Sequence, residues 1–375
     1  MSEIKPGPNN PVHLPDPLPV WATCAPEGDL ATPAGYFEAA WSRFLVAQGS
    51  TWRRDFLVGG THVTLEGKGE ALAEALTPAL AHLAVTDVHV GAPRLIVRTW
   101  DSIHGRVDPP PLPALPGDKL AHDRVSRLSD DRFTAVLERH FGALTLLDGA
   151  SGRGIYYTHD GVTLPYYETA APMRALWYAW FSRHAALPLH GACVGRGDDV
   201  LLLTAPGGNG KSTTALLALQ AGFEYLADDW CLIAPRVPVA YSLFSSAKLR
   251  PDNLHRFPGL ADRIHNHDRL DEEKATFFLH RYFPSQLKSS GRLRALVIPR
   301  VGGTADTSFA KVSAAHAFHA LMQVTLQGMA GAGKELFPLL GEVARCAPVY
   351  QLTLGHDLAQ IPPALDAILA HASRA

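Results

Sequence analysis

Val200-Leu-Leu-Leu-Thr-Ala-Pro-Gly-Gly-Asn-Gly-Lys-Ser-Thr-Thr214 is the stretch that decides the fold. Four apolar residues read as a buried strand, and a glycine-rich loop then leads directly into a helix with Lys211 and Ser212 in its first turn. Gly207, Gly208 and Gly210 let backbone N–H groups converge on phosphate oxygens. Lys211 adds a positive charge and the Ser212 hydroxyl a ligand for Mg²⁺. Ala205 stands where the strict phosphate-loop pattern has Gly, and Asn209 and Thr213 complete the candidate cradle. The preceding strand and the run Thr214–Ala221, stopped by Gly222, supply the strand–loop–helix context this chemistry requires. The expected ligand is a nucleoside triphosphate, taken as ATP, with Mg²⁺.

The next segment, Phe223-Glu-Tyr-Leu-Ala-Asp-Asp-Trp230, puts Asp228 and Asp229 only 17 and 18 residues beyond Lys211. One helix and a tight return fill that distance, so the pair emerges beside the phosphate loop. Read as an extended strand, the two carboxylates point to opposite faces. A metal-holding Asp is expected near any such loop; a second one exceeds what nucleotide binding needs. The bland alternative is a strand end meeting solvent, with Asp229 as a cap. Upstream, Pro188–Val194 and Val200 onward read as a hairpin about Gly195–Asp199. That register pairs Val194 with Val200 and sets His190 opposite Thr204, at the mouth of the loop. A lone histidine in an apolar strand is more often a core residue, but this position sets against that reading, on equal terms, a hydrogen bond to a carboxylate or a phosphate oxygen.

His190-Gly191, the hairpin, the loop Ala205–Ser212 and Ala227-Asp228-Asp229 together resemble the catalytic core of HPr kinase/phosphorylase and its relatives. That group shares a fold with phosphoenolpyruvate carboxykinase. The chain is also similar to HPr-kinase-like proteins of biosynthetic clusters, including lasso-peptide tailoring kinases. The resemblance covers about residues 30–360 and is strongest over 186–233. It implies an α/β, P-loop-containing core with a mixed sheet, preceded by an α+β N-terminal domain. It implies Asp228 as base toward an acceptor hydroxyl, Asp229 and Ser212 as holders of Mg²⁺, Lys211 on the phosphates, and His190 supporting the base. Which Asp does which job stays open. HPr kinases carry a glycine- and arginine-rich stretch with an acidic metal ligand after the Asp pair. Residues 236–292 hold no counterpart, which argues against HPr as acceptor and against the reverse phosphorolysis.

Further cations are candidates for the transferring phosphoryl group. Ser245-Ser-Ala-Lys248 matches a Ser-x-Ala-Lys stretch of the cluster-associated relatives, which gives Lys248 a place at phosphate or substrate. Lys274 enters the apolar run Ala275–Leu279, and a basic patch of His280, Arg281, Lys288, Arg292 and Arg294 follows. One of Lys248, Lys274 or Arg281 is expected to neutralise charge there, although each alone also reads as a solvated charge. Gly328–Lys334 is only superficially a phosphate loop, since no strand precedes it and Glu335 would repel phosphate. His265-Asn-His267-Asp268 reads as a surface loop, not a metal site.

The 375 residues suffice for two domains with substantial cores. Hydrophobics at 47% and charged residues at 19% describe a folded chain, and a formal net charge of −2 gives no electrostatic case for nucleic acid or an anionic membrane. No apolar run reaches membrane-helix length, no secretion signal opens the chain, and four scattered cysteines fit a reducing cytoplasm. The expected division is a proline-rich leader over 1–30, an N-terminal α+β domain over 31–170 for substrate or leader recognition, and a catalytic domain over 171–375. Helices are expected at Tyr36–Gln48, Glu70–Leu83, Ser126–Gly142 and Pro172–His184, the last an aromatic stripe buried between domains. A hairpin is expected of Gly154–His159 with Val162–Tyr167. Strands Leu293–Pro299 and Val349–Leu354 and helices Ala314–Gln327, Lys334–Arg345 and Pro363–His371 close the chain. The sequence therefore predicts an ATP-dependent kinase whose partner is a peptide or protein acceptor bearing Ser or Thr, or a small-molecule alcohol. Homo-oligomerisation stays open. The rival reading is a nucleotide-driven sensor or assembly factor, which needs only Lys211, Ser212 and one Asp.

Overall fold

The computed structural model describes residues 28–87, 91–113, 123–332 and 335–374. Residues 1–27 of the expected leader 1–30, Cys24 among them, and Lys334 lie outside the described residues, while Gly28–Ala31 form a 3₁₀ turn. The architecture is mixed α/β, built on two mixed sheets and a short hairpin.

The first sheet contains β1 (Thr51–Val58), β2 (Thr61–Lys68), β3 (Arg94–Asp101), β4 (Phe133–Glu138), β5 (Ala143–Asp148) and β6 (Arg153–Thr158), in the order β1-β2-β3-β6-β5-β4. β2, β3 and β6 run parallel, and the other pairings are antiparallel. The helix Pro33–Val46, capped by Thr32 and opened by Pro33, lays Phe37 against Phe133. Ser126–Gly142 is not the expected helix. A short 3₁₀ turn, Ser126–Leu128, gives way to β4, every residue of which is buried. A strand covered on both faces loses the alternation that would have identified it. Val162–Tyr167 is not a strand either: β6 pairs with β5, and the chain after Pro165 turns into the short helix Tyr166–Thr169. Pro78 ends the helix Glu70–Leu76 and starts a 3₁₀ helix, Pro78–Leu83.

The second sheet contains β7 (Leu187–His190), β8 (Ala192–Arg196), β9 (Asp199–Leu203), β10 (Glu224–Ala227), β11 (Trp230–Ala234) and β12 (Val239–Ser242). β13 (Ser246–Leu249) and β14 (Ala275–Phe278) form a separate hairpin. β15 (Ser290–Val301), β16 (Ser308–Val312) and β17 (Val349–Leu354) complete the set. The order is β10-β8-β9-β15-β12-β11-β7, with β17 parallel to the end of β15 and β16, not anticipated, antiparallel to β17. β9, β15 and β17 run parallel, so their carboxyl ends share one edge. The helix Arg174–Phe181 packs on β5 and on β7, and Trp177, Tyr178, Trp180 and Phe181 are all buried. One apolar core thus runs from Trp52 in the first sheet to Leu232 in the second. Each of these large side chains contributes about 1.5–3 kcal/mol on burial.

Candidate active site

The glycine-rich loop leaves β9 at Leu203 and enters the helix Lys211–Gln220 through Gly210, whose φ is +86°. Gly208, at φ +84°, has nothing within 4 Å of where a Cβ would stand, so its backbone faces open space. No side chain caps this helix, which leaves its first N–H groups to a ligand. The Lys211 ammonium donates to the Ala205 carbonyl. Burial pulls Lys211 below the usual lysine range, against the opposing pull of Asp228 and Asp229. Asn209 donates its amide to the Pro206 carbonyl at 3.2 Å and closes the loop on itself. Gly207, Gly208, Gly210, Lys211, Ser212 and Thr213 line a cleft of about 740 Å³; Ala205 and Asn209 shape the loop from behind. The cleft has the size of a small-molecule site.

The Asp pair departs from the expected geometry. β10 stops at Ala227, and Asp229 takes a left-handed φ of +76°, so the two residues form a bend and not an extended strand. Both carboxylates therefore face the cleft. Ser212 donates its hydroxyl to Asp228 at 3.0 Å, so the serine meets Asp228 and not Asp229 as the resemblance implied. Asp228 also accepts the N–H of Lys248 at 3.3 Å. Burial, with the Asp229 charge beside it, raises the Asp228 carboxyl above the usual carboxylate range. Asp229 contacts His190 Nε2 at 2.8 Å and is ion-paired with Lys248. Burial alone would raise Asp229, but Lys248 and His190 outweigh it and hold this carboxyl well below that range. Burial lowers His190, partly opposed by Asp229.

His190 reaches this place by a different register from the expected one. β8 and β9 turn over Gly197-Asp198 alone, with Gly197 at φ +58°, so Val194 pairs with Leu201. His190 ends β7 and pairs with Trp230 of β11, while Gly191 donates its N–H to the Asp229 carbonyl at 3.0 Å.

The β13–β14 hairpin brings Lys248 and Lys274 to the cleft. Asn266, 3% exposed, donates to the Lys274 carbonyl and to Glu273, and accepts the Thr276 N–H, each at 2.9 Å. The 265–268 segment is thus a brace beneath Lys274. Burial, then Lys248, lowers Lys274. Two carbonyls of the N-terminal half hold the residues before Lys248. Ser245 donates its N–H to Ala79 at 2.8 Å, and the Ser246 hydroxyl donates to Ala170.

Other expected cations lie elsewhere. Arg292 and Arg294 pair with Asp199, Lys288 with Asp198 and Glu224, and Arg281 stands over the Phe278 ring. Sequence reasoning missed Tyr166, the lip Arg250, His255 and Arg256, the acidic run Asp271–Glu273, and the wall of Val301 and Leu354. Of these only Tyr166 carried a local signal, the helix-opening Pro165. Among the described residues no group of three or more His, Cys, Asp or Glu side chains is placed to hold a metal ion. Mg²⁺ accompanying a nucleotide needs fewer, and the adjacent oxygens of Ser212 and Asp228 are hard donors of the right kind. No helix among the described residues is long and apolar enough to cross a membrane.

No protein-family model matches this sequence, and no curated protein is significantly similar to it. Among solved structures, the chain is similar to the HPr(Ser) kinase/phosphatase from Coxiella burnetii, at 8% identity and a TM-score of 0.27, over 50% of this chain and 96% of that one. A likeness that distant carries no argument, and the chemistry rests on the geometry above.

Proposed function

We propose that this chain is an ATP- and Mg²⁺-dependent kinase that transfers the γ-phosphate to a hydroxyl, that of Ser or Thr in a peptide or protein. The observation that supports it is the division of the Asp pair: Asp228 sits on the Ser212 hydroxyl, Asp229 on His190 and Lys248. Bound ATP with Mg²⁺ supplies the phosphoryl group and neutralises much of its charge. Ser212 and Asp228 would hold the metal, and the uncapped helix N-terminus with Lys211 would hold the phosphates. Asp229 is the base: it takes the acceptor's hydroxyl proton, and His190 and Lys248 fix its orientation and keep it ionised. This reverses the two aspartates relative to the roles the resemblance implies. Lys274 stands beside Lys248 as a second cation for charge developing during transfer. The charged, open lip at Arg250, His255 and Arg256 suits an extended acceptor better than an enclosed small molecule.

The test is transfer of label from γ-labelled ATP, with Mg²⁺, to Ser/Thr peptides and small alcohols. Label on one acceptor, lost in Asp229→Asn, supports the kinase and names the acceptor class. Nucleotide binding with only free phosphate released would replace it with a nucleotide-driven binding protein.

A further inference from the structure

Register across the second sheet orders the cleft from side to side. At the carboxyl end of β9, Leu203 pairs with Ala192 of β8 on one flank and with Val297 of β15 on the other. His190 and Asp229 lie just before Ala192, on the β8 flank. On the opposite flank β15 continues past the end of β9 to Val301, which pairs with Leu354 at the end of β17. The sheet edge therefore reads catalytic side chains, phosphate loop, then Val301 and Leu354. From β8 to β17 is three strand spacings, about 14 Å, the scale of an extended nucleoside triphosphate.

The far flank is built differently from the rest of the cleft. Val301 is 58% exposed although it ends a strand whose central residues are buried. Leu354 and the half-buried Leu358 continue the apolar lining over the buried Ile361, and the exposed residue His356 stands at its rim. Gly302 and Gly355 interrupt it with bare backbone. A Cβ on Gly302 would stand 2.7 Å from the Thr353 side chain, and one on Gly355 2.4 Å from the Ala305 carbonyl. Neither position accepts a side chain without a shift of its neighbours. The phosphate loop touches it directly, because a Cβ on Gly210 would stand 2.5 Å from Leu354 Cδ1.

We infer that Val301, Leu354, Leu358 and His356 form the nucleobase subsite, and that it grips the face of the base without reading its edge. The inference rests on the kinase reading only for the presence of a triphosphate on the loop. An aliphatic wall of Val301, Leu354 and Leu358 adjoining the last loop glycine fits a planar ring one ribose away from the phosphates. Among the described residues no Lys, Arg, Asp or Glu side chain belongs to this wall, so its grip on the base is apolar contact with the ring face, which adenine and guanine both offer.

The experiment is competition against a fluorescent ATP analogue by ATP, GTP and inorganic tripolyphosphate, for the wild-type chain, Val301→Asp and Val301→Ser. The exposure of Val301 makes both substitutions compatible with folding. The wild type is expected to bind ATP and GTP within a few-fold of each other and tripolyphosphate more weakly. Val301→Asp is expected to weaken ATP and GTP about tenfold or more and to leave tripolyphosphate within twofold, with Val301→Ser intermediate. Unchanged ATP affinity in both variants, or ATP and tripolyphosphate falling together, would overturn the subsite. A wild-type chain that binds neither ATP nor tripolyphosphate would instead remove the phosphate site, and the subsite with it.

Discussion

The Ser212 hydroxyl donates to the Asp228 carboxylate at 3.0 Å, while the next residue, Asp229, turns through a left-handed bend to His190 and Lys248. Burial, with the Asp229 charge, raises Asp228 above the usual carboxylate range against the opposing pull of Ser212, while Lys248 and His190 hold Asp229 below it. Substitution separates their roles. Asp229→Asn is expected to keep nucleotide affinity within a few-fold and to lower transfer by about 100-fold or more. Asp228→Asn is expected to lose the Mg²⁺ dependence of nucleotide binding. Titration calorimetry with and without Mg²⁺, beside transfer assays, checks both; equal effects on binding and transfer in the two variants would dissolve the division.

Lys211 is buried against the Ala205 carbonyl and is the cation closest in sequence to the loop glycines. Lys211→Ala removes one charge-assisted contact to phosphate and is expected to weaken ATP about 10- to 100-fold. Equilibrium dialysis with labelled ATP measures it. Retention of full affinity would place the phosphates somewhere other than this loop.

Lys248 and Asp229 form a pair in which neither partner is widely exposed. Lys248→Met leaves an acid buried with His190 as its remaining partner, at a cost of about 3 kcal/mol in unfolding free energy. Asp229→Asn in the same chain should recover a large part of that loss, since the uncompensated charge is gone. Urea denaturation of the two single variants and the double variant yields the coupling directly. Additive losses would mean the two side chains do not depend on each other.

His82 links the halves of the molecule and sets an acid limit. Its Nε2 lies 2.6 Å from Ser242 Oγ, and because that hydroxyl donates to the Leu226 carbonyl, the imidazole must be the donor. Burial, with the nearby His280, lowers its pKa to about 3. The unfolded chain binds this proton below its ordinary value near 6.5 and the folded chain does not. Stability is therefore complete above about 6.5 and falls by up to ~1.4 kcal/mol per pH unit as the pH drops toward 3. His82→Asn keeps a donor without the titration, so its stability should fall less steeply from pH 6.5 to 5 than that of the wild type. Parallel slopes in denaturant titrations would exclude His82 as the source.

The glycine-rich end of the cleft was legible because its residues are contiguous in the chain. The strand, three glycines, Lys211 and Ser212 lie in consecutive residues, and the strand Val349–Leu354 appears with its anticipated bounds. What sequence missed depends on partners distant in the chain. Phe133–Glu138 read as helical because cover on both faces erased its alternation. The assignment of Asp228 and Asp229 turned on the positive φ of Asp229, a conformation an L residue adopts only where its surroundings enforce it. The lip at Arg250–Arg256, the acidic run before Lys274 and the wall at Val301 come from three separate segments with no motif among them.

The carbonyls of Ala79 and Ala170, both from the N-terminal half, hold Ser245 and Ser246 at the start of the strand that carries Lys248. A chain cut at residue 171 would keep every residue of the glycine-rich loop and both aspartates, yet would leave those two serines without their acceptors. Lys248 lies two residues beyond Ser246. Displacement of the 3₁₀ helix Pro78–Leu83 or of the turn at Ala170 would reach the Lys248–Asp229 ion pair through two hydrogen bonds and one short strand.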